Sequence, residues 1–456
     1  MILTVIGGGS SQWMITLMRD VYLLDEVEGG EIRLVDPKTE HVHAVADMLR
    51  AFNRMRNKDY AVSVVEDRRE ALAGADFVLT TFSPGSMDSF YNDLEIPIKY
   101  GIRQPVSMTV GPCGISAAIR TAPVAYEIVE DMEAVCPGAV LLNVTNPMSV
   151  VTRAMNRAAR TVRVIGLCHE FHAFPRLIGP ILGLPRPDDV DLLTYLYRWL
   201  GEQGFEYTIA GVNHFIWLTQ ATLNGVDVIP RIRQYAASHA DMKAADAAYD
   251  VTQNHHAAKL ALCRTFGYLP IVGDRHLVEF WPHLCNVRNG YGMGYGVIKT
   301  TVDVRRHNID RKLAQIRRIT SGAETLGWRS SGEEMTAIMR AIITGTSTTA
   351  IVNVPNQGQI GNLPPDVVVE TLADVTSKSV VPKASGALPG AIGSLCRLHV
   401  DVHELTLQAA LEGSRDLLIQ AVSLDPLSAG ADFTEIGSLV DDLLIANRQW
   451  LPRFFD

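Results

Sequence analysis

The sequence lacks any apolar run near the roughly 20 residues that span a bilayer. It also lacks the Cys-x-x-Cys spacing of structural zinc and redox sites. Its six cysteines (Cys113, Cys136, Cys168, Cys263, Cys285 and Cys396) are scattered through 456 residues. A chain this long builds a core without covalent staples, so free thiols in a reducing cytoplasm are expected. No basic segment precedes a hydrophobic stretch at the start. The apolar run Ile2 to Ile6 stops at three glycines, unlike a secretory signal. Positive charge is in deficit, 41 Lys and Arg against 50 Asp and Glu, for a net charge of -9. An acidic surface repels phosphate backbones and argues against nucleic-acid binding as the main activity. The 36 glycines follow no three-residue period, which excludes a collagen-like chain. No internal repeat or low-complexity tract occurs.

What is present is ordinary globular composition, 47% hydrophobic and 20% charged, in a chain long enough for two or three domains. The first third alternates strand and helix patterns. Ile2 to Ile6 is short, apolar and partly β-branched, as a buried parallel strand should be. Gly7-Gly8-Gly9-Ser10-Ser11 follows, then helical periodicity from about Trp13 to Leu24. Further strands are predicted at Ile32 to Asp36, Ala75 to Thr81, Ala139 to Val144 and Val162 to Leu167, and helices over about 41–55 and 117–134. This alternation implies a doubly wound parallel sheet.

Beyond about residue 170 the pattern changes. Pro175 to Pro187 holds four prolines and reads as loop-rich. Phe205 to Val212 and Val226 to Ile229 read as strands of a second lobe, and about 230–265 as helical. Tyr268 to Tyr295 reads as an irregular functional segment. Val402 to Ile419 and Phe433 to Trp450 read as helices. The expected fold is α/β: an N-terminal Rossmann-like doubly wound parallel sheet over 1–170, and a second α+β domain over 171–456 whose C-terminal helices can pack back on the first.

Three groups of residues carry chemistry. The first is the glycine loop after the first strand, where Gly allows a pyrophosphate to approach a helix N-terminus. Gly7, Gly9 and Ser10 fit, Ser11 follows as a further cofactor-binding candidate, and Gln12 replaces the third glycine. Asp36 ends the next strand, where a carboxylate accepts ribose hydroxyls, although it lies beyond the usual spacing of about 20 residues. The alternative is a plain strand-to-helix turn. The second group lies at strand ends: Asn143-Val144-Thr145-Asn146-Pro147, Cys168-His169-Glu170 and Asn213-His214. A thiolate and an imidazole, Cys168 and His214, suit a divalent transition metal completed by substrate oxygens or water. A lone buried cysteine is otherwise a small hydrophobe. The third is Gly273-Asp274-Arg275-His276-Leu277-Val278-Glu279, ionisable groups among large apolar ones. A carboxylate there is placed for general-base work. The alternative is a surface ion pair of Arg275 with Asp274 or Glu279. His255-His256 read as exposed or capping residues of a helical stretch.

With these residues in order along the chain, the sequence resembles glycoside hydrolase family 4, NAD- and divalent-metal-dependent glycosidases distantly related to lactate and malate dehydrogenases. The resemblance rests on Gly7-Gly8-Gly9-Ser10, Asp36, Asn143 to Pro147, Gly166-Leu167-Cys168-His169, Gly211 to Phe215, Gly273 to His276, and Asn353-Val354-Pro355-Asn356 through Asn362-Leu363-Pro364 to Val369-Glu370. It implies a redox-assisted hydrolysis rather than the two-carboxylate route. NAD+ accepts a hydride from C3, a base removes the acidified C2 proton while the metal stabilises the enolate, the C1 bond breaks by elimination, water adds, and the hydride returns.

The resemblance implies Cys168 and His214 as metal ligands, most often for Mn2+. It implies Asp274 as the C2 base, His169 as proton donor, and Asn146 at substrate hydroxyls or nicotinamide. Phospho-sugar members carry an arginine within the stretch matching Ser86 to Pro97, and Phe90 stands at its position here. The Cys168-His169 pair is typical of members acting on unphosphorylated α-glycosides. Arg275, His276 and Arg120 offer positive charge to an anionic C6 group, as in a uronide or sulfoquinovoside. A soluble homodimer or homotetramer acting on a small glycoside, away from membranes and nucleic acid, is expected. The competing reading is an NAD-dependent sugar or hydroxy-acid dehydrogenase, which would accumulate NADH.

Overall fold

The computed structural model describes residues 1–239 and 256–455. His255 and the middle of the helical run predicted from about 230 to 265 lie outside them. On either side, Ile229–Ser238 and Ala257–Phe266 are helical.

One sheet of thirteen strands runs through the molecule. The strands are β1 (Ile2–Ile6), β2 (Gly29–Val35), β3 (Asp59–Val64), β4 (Phe77–Thr80), β5 (Val140–Asn143), β6 (Arg163–Gly166), β7 (Phe205–Val212), β8 (Phe215–Leu223), β9 (Val226–Asp227), β10 (Leu269–Pro270), β11 (Ser347–Pro355), β12 (Val368–Thr376) and β13 (Val380–Pro382). The first six are parallel, in the order β6-β5-β4-β1-β2-β3, as the strand–helix alternation requires. Their side chains alternate between two apolar layers. Val78 and Leu141 face one layer, while Phe77, Leu79, Val140 and Leu142 face the other. A sheet covered on both sides needs strands apolar on both faces, which is why these runs read as continuous.

From β6 the sheet continues antiparallel through β11, β12, β7 and β8. One row of paired residues crosses both halves: Val35, Ile6, Thr80, Asn143, Gly166, Asn353, Glu370, Gly211 and Ile216. Most residues read as chemical lie just beyond this row, namely Gly7 to Ser10, Asp36, Asn146, Cys168 and His214. The helix Gly390–Glu412 packs on Gly111–Val135 and Met148–Ala158, so the chain returns to its first half.

Several sequence expectations give way. The proline-rich run is not loop throughout: Ala173–Leu182 is a helix. Pro175 sits in its first turn, where no intrahelical N–H is lost. Pro180 lies inside, and burial of Phe174, Leu177, Ile178 and Ile181 outweighs its cost. The strand read over Val226 to Ile229 is two residues long before a helix begins at Ile229. The single helix read from Val402 is two, broken at Gly413. That glycine has φ +67, and a Cβ there would lie 1.8 Å from the Arg453 carbonyl oxygen. No helix among the described residues is long and apolar enough to cross a membrane.

Candidate active site

The turn after β1 is built for close approach. Gly7 has φ +89, and a Cβ there would lie 2.2 Å from the Thr81 carbonyl oxygen. The amide of Gly9 donates to Asp36 Oδ2 at 2.9 Å, and Lys38 donates to Oδ1 at 2.8 Å. The helix Ser11–Val21 has no side-chain cap and no acid in its first turn. Its first N–H groups and positive dipole end therefore remain for an anion. Ser10, half-buried, lies at this opening. Ser11 does not: its side chain is buried and its hydroxyl turns toward the Ile309 carbonyl oxygen. The helix Val302–Ser321 covers that side of the turn, so only the Ser11 backbone is available to a cofactor. These observations fit a dinucleotide pyrophosphate at the glycine turn and a ribose at Asp36.

Past β5, the Asn143 amide is tied to Thr80, Thr145 and Thr152. It fixes the loop that presents Asn146, whose side chain accepts from Met148 N at 3.3 Å. The Asn146-Pro147 peptide is cis.

His214 occupies the turn between β7 and β8 with φ +62, a left-handed conformation rare for a non-glycine residue and often found at functional sites. It is 2% exposed. Its Nδ1 is 2.7 Å from Thr109 Oγ1, and its ring stacks on His276 at 4.0 Å between centroids. Burial first, then His276, pushes its pKa well down, so the ring is a neutral ligand-type imidazole. Cys168 lies among Asn213, Glu170 and Glu370, and burial followed by these two acids pushes its thiol well up. A bound cation would reverse that preference, since metal ligation takes the thiolate.

Glu370 accepts from Asn353 and Asn213 at 2.9 and 3.3 Å, and burial raises its pKa to about 7. The Oδ1 atoms of Asn213 and Asn353 are buried without a hydrogen-bond partner among the described residues. No three His, Cys, Asp or Glu side chains among those residues form a complete cation site. By chemistry, a thiol such as Cys168 and a neutral imidazole such as His214 are donors suited to a divalent transition metal.

Glu170, named at its strand end but given no role by the sequence, is the hub. Its Oε2 accepts from Gly273 N at 3.1 Å, and its Oε1 lies 3.5 Å from His276 Nε2 and 3.7 Å from His169 Nε2. Burial opposes its charge, but neighbouring positive charge, from His169 and Arg275 among others, outweighs that and holds its pKa below the ordinary value. His169 is 38% exposed, lies on the Trp13 ring and has Glu333 3.9 Å from its Nδ1. It is the solvent-reaching imidazole of the group.

Asp274 is 1% exposed. Its carboxylate accepts from Ala258 N at 2.7 Å and Lys259 N at 3.2 Å, the start of the helix Ala257–Phe266, and lies 3.9 Å from Lys259 Nζ. Burial lowers the pKa of Lys259 to about 8. Nothing in an Ala-Ala-Lys run signals a buried ammonium, so Lys259 was not legible.

The three residues read as cationic substrate contacts separate. Arg120 is not available: it is 4% exposed and bound bidentately to Asp93 at 2.6 and 2.9 Å, with further bonds to Ser116 and the Pro84 carbonyl oxygen. His276 is beside His214, but burial and then Arg275 push its pKa well down, so it brings no charge. Arg275 remains, donating to Thr300 Oγ1 at 2.8 Å. Neither acid read as its surface partner serves that way. Asp274 faces Lys259, and Glu279 accepts from Val106 N and Ser107 N at 2.7 and 3.0 Å. Burial raises Glu279 to about 7. Arg305 joins this region unforeseen. Its guanidinium lies 3.9 Å from the centroid of Phe90, the residue matched to an arginine of phospho-sugar members.

A glycine turn into an uncapped helix, with a thiol, stacked imidazoles and acids beyond the same strand row, defines a Rossmann-type enzyme. The family 4 glycosyl hydrolase pattern matches residues 2–184, and that of the family 4 glycosyl hydrolase C-terminal domain matches 209–428. An alpha-galacturonidase of Bacillus subtilis (strain 168) is 31% identical over 452 residues, covering 96% of each chain. The solved structure of lplD from Bacillus subtilis is 29% identical, with TM-score 0.86 over 97% of this chain and 99% of that one. A 6-phospho-alpha-glucosidase from gut microorganisms, crystallised with NAD and Mn2+, shares the fold at 20% identity and TM-score 0.79, over 98% of each chain. The chain belongs to glycosyl hydrolase family 4 and is a glycosidase.

Proposed function

We propose that the enzyme hydrolyses an unphosphorylated α-linked glycoside bearing a carboxylate at C6, a uronide, with NAD+ and a divalent cation, Mn2+, as cofactors. The observation that carries this reading is the junction of Cys168, the His214–His276 stack and Glu170 beyond the strand row that also ends in the glycine turn. The Bacillus subtilis alpha-galacturonidase supports the uronide, and Phe90 in place of a phosphate-binding arginine supports an unphosphorylated sugar.

In this reading the backbone of Gly7, Gly9, Ser10 and Ser11 holds the pyrophosphate, Asp36 accepts ribose hydroxyls, and Asn146 orients nicotinamide and sugar. Cys168 Sγ and His214 Nε2 hold the cation, with Thr109 fixing the other ring nitrogen, the orientation device typical of ligating histidines. When bound, NAD+ supplies a hydride acceptor for C3 and the cation supplies a Lewis acid for the oxygen beside the acidic C2–H. Asp274 takes the C2 proton at a carboxylate oxygen, with Lys259 setting its charge environment. His169 donates a proton to the departing glycosidic oxygen. After water has added at C1, Asp274 delivers to C2 a proton that has exchanged with solvent. We read the lobes as 1–170 and 171–456, and the assembly as a cytoplasmic homodimer or homotetramer.

The test is hydrolysis of p-nitrophenyl α-D-galacturonide with NAD+ and Mn2+, each omitted in turn. Loss of turnover on either omission is expected. Turnover unaffected by both omissions would overturn the reading.

A further inference from the structure

Arg305 lies in the first turns of the helix Val302–Ser321, half-buried at the edge of the site. One face of its guanidinium covers Phe90 at 3.9 Å, and Nη2 donates to the Val106 carbonyl oxygen at 3.0 Å. Its Nε is buried with no hydrogen-bond partner, and Arg305 forms no ion pair among the described residues. A buried guanidinium with an idle donor is costly unless an anion completes it.

The acid that shares its surroundings, Glu279, is already held by two amides of the loop that Arg305 touches. That loop continues to Thr109, which holds His214, and Thr300 N donates to its Pro105. Arg305 therefore stands beside the loop that holds His214, close enough for its charge to act on His276.

We propose that Arg305 binds the C6 carboxylate of the substrate and sets the preference for uronides over neutral sugars. The assignment rests on the uronide reading above and adds the residue responsible. A guanidinium fork matches a planar carboxylate in a way that a lysine ammonium does not. Phe90 fixes the plane of the fork, and Val106 spends one donor to aim it.

The experiment compares Arg305→Met and Arg305→Gln with the wild-type holoenzyme on p-nitrophenyl α-D-galacturonide and α-D-galactoside, with melting curves to establish folding. Losing a charge-assisted pair predicts a fall of about 30-fold or more in the ratio of the two kcat/KM values, carried by KM for the uronide. Arg305→Lys should recover part of it. Equal loss on both substrates, or an unchanged ratio, would overturn the assignment. Calorimetric binding of free D-galacturonate with NAD+ and Mn2+ present separates the two readings. If wild type cleaves neither glycoside, the catalytic reading fails. Galacturonate binding lost in Arg305→Met would still support the assignment, and binding that is absent from wild type or equal in both would overturn it.

Discussion

The ring of His276 lies on the ring of His214 with 4.0 Å between centroids and 17° between planes. One belongs to the turn between β7 and β8, the other to the short helix Asp274–Leu277. The contact brings the Asp274 segment against the His214 turn, and Glu170 closes the group from beyond β6. Three segments far apart in sequence thus form one site, and each can be tested separately.

Asp36 joins the glycine turn to β2 through Gly9. Asp36→Ala removes the acceptor proposed for ribose hydroxyls, and NAD+ affinity should fall about 10- to 100-fold. Fluorescence titration with NAD+ reads this directly. Unaltered affinity would remove Asp36 from the cofactor site.

Cys168→Ser should abolish activity together with bound Mn2+, while the melting temperature of the metal-free chain changes little. Elemental analysis of the purified protein decides. Full metal content in the variant would refute the ligand assignment. Oxidation of Cys168 should have the same consequence, because it consumes the thiolate.

Asp274→Asn should leave NAD+ binding intact and stop exchange of the C2 proton with solvent. Asparagine has one carbonyl oxygen and keeps one of the two amide bonds, now made to separate carboxylate oxygens, so a melting curve accompanies the assay. Undiminished exchange would reject Asp274 as base and direct attention to Lys259.

Arg120 and Asp93 form a buried pair at 3% and 1% side-chain exposure. Arg120→Met leaves the Asp93 carboxylate without its counter-charge, held among the described residues only by Ser116 Oγ and Asn447 Nδ2, and stability should fall by about 3–5 kcal/mol. The uronide-to-galactoside ratio should not move if Arg120 is structural. A specific loss of uronide turnover without loss of stability would restore it to the substrate site.

Asp425 accepts the amides of Gly111 and Leu427, and burial raises its pKa from 3.8 to about 6. The native state then holds a proton that the unfolded chain releases, so this contribution is present at low pH and fades as pH rises through that window. Two pKa units correspond to about 3 kcal/mol. Wild-type stability relative to Asp425→Asn should drop by up to that amount between about pH 4 and 7, read by urea titration of the cofactor-free chain. A pH-independent difference would contradict it.

The parallel half was legible because each buried strand is a short apolar run ending in polar residues, the one pattern such a sheet permits. The antiparallel half was less so. β11 and β12 carry Asn353 and Glu370 as a pair, but their polar residues masked the strand pattern, and β8 was hidden behind the Asn213-His214 turn. Cys168, His214, Asp274 and Asp36 could be named because each ends or follows a strand or a distinctive turn. Lys259 and Arg305 could not, and Glu170 was named without a role, since these roles come from burial and partners distant in sequence. Arg120 misled for the same reason: nothing local announces that Asp93 consumes its charge.

The central claim is that hydrolysis proceeds through abstraction of the C2 proton with NAD+ regenerated in each turnover. The direct measurement is NMR of galacturonate released from p-nitrophenyl α-D-galacturonide in D2O, with NAD+ and Mn2+ present. Deuterium at C2 of the product, with no net NADH, is the predicted result. Galacturonate released with protium at C2, or NADH accumulating without cleavage, would contradict it.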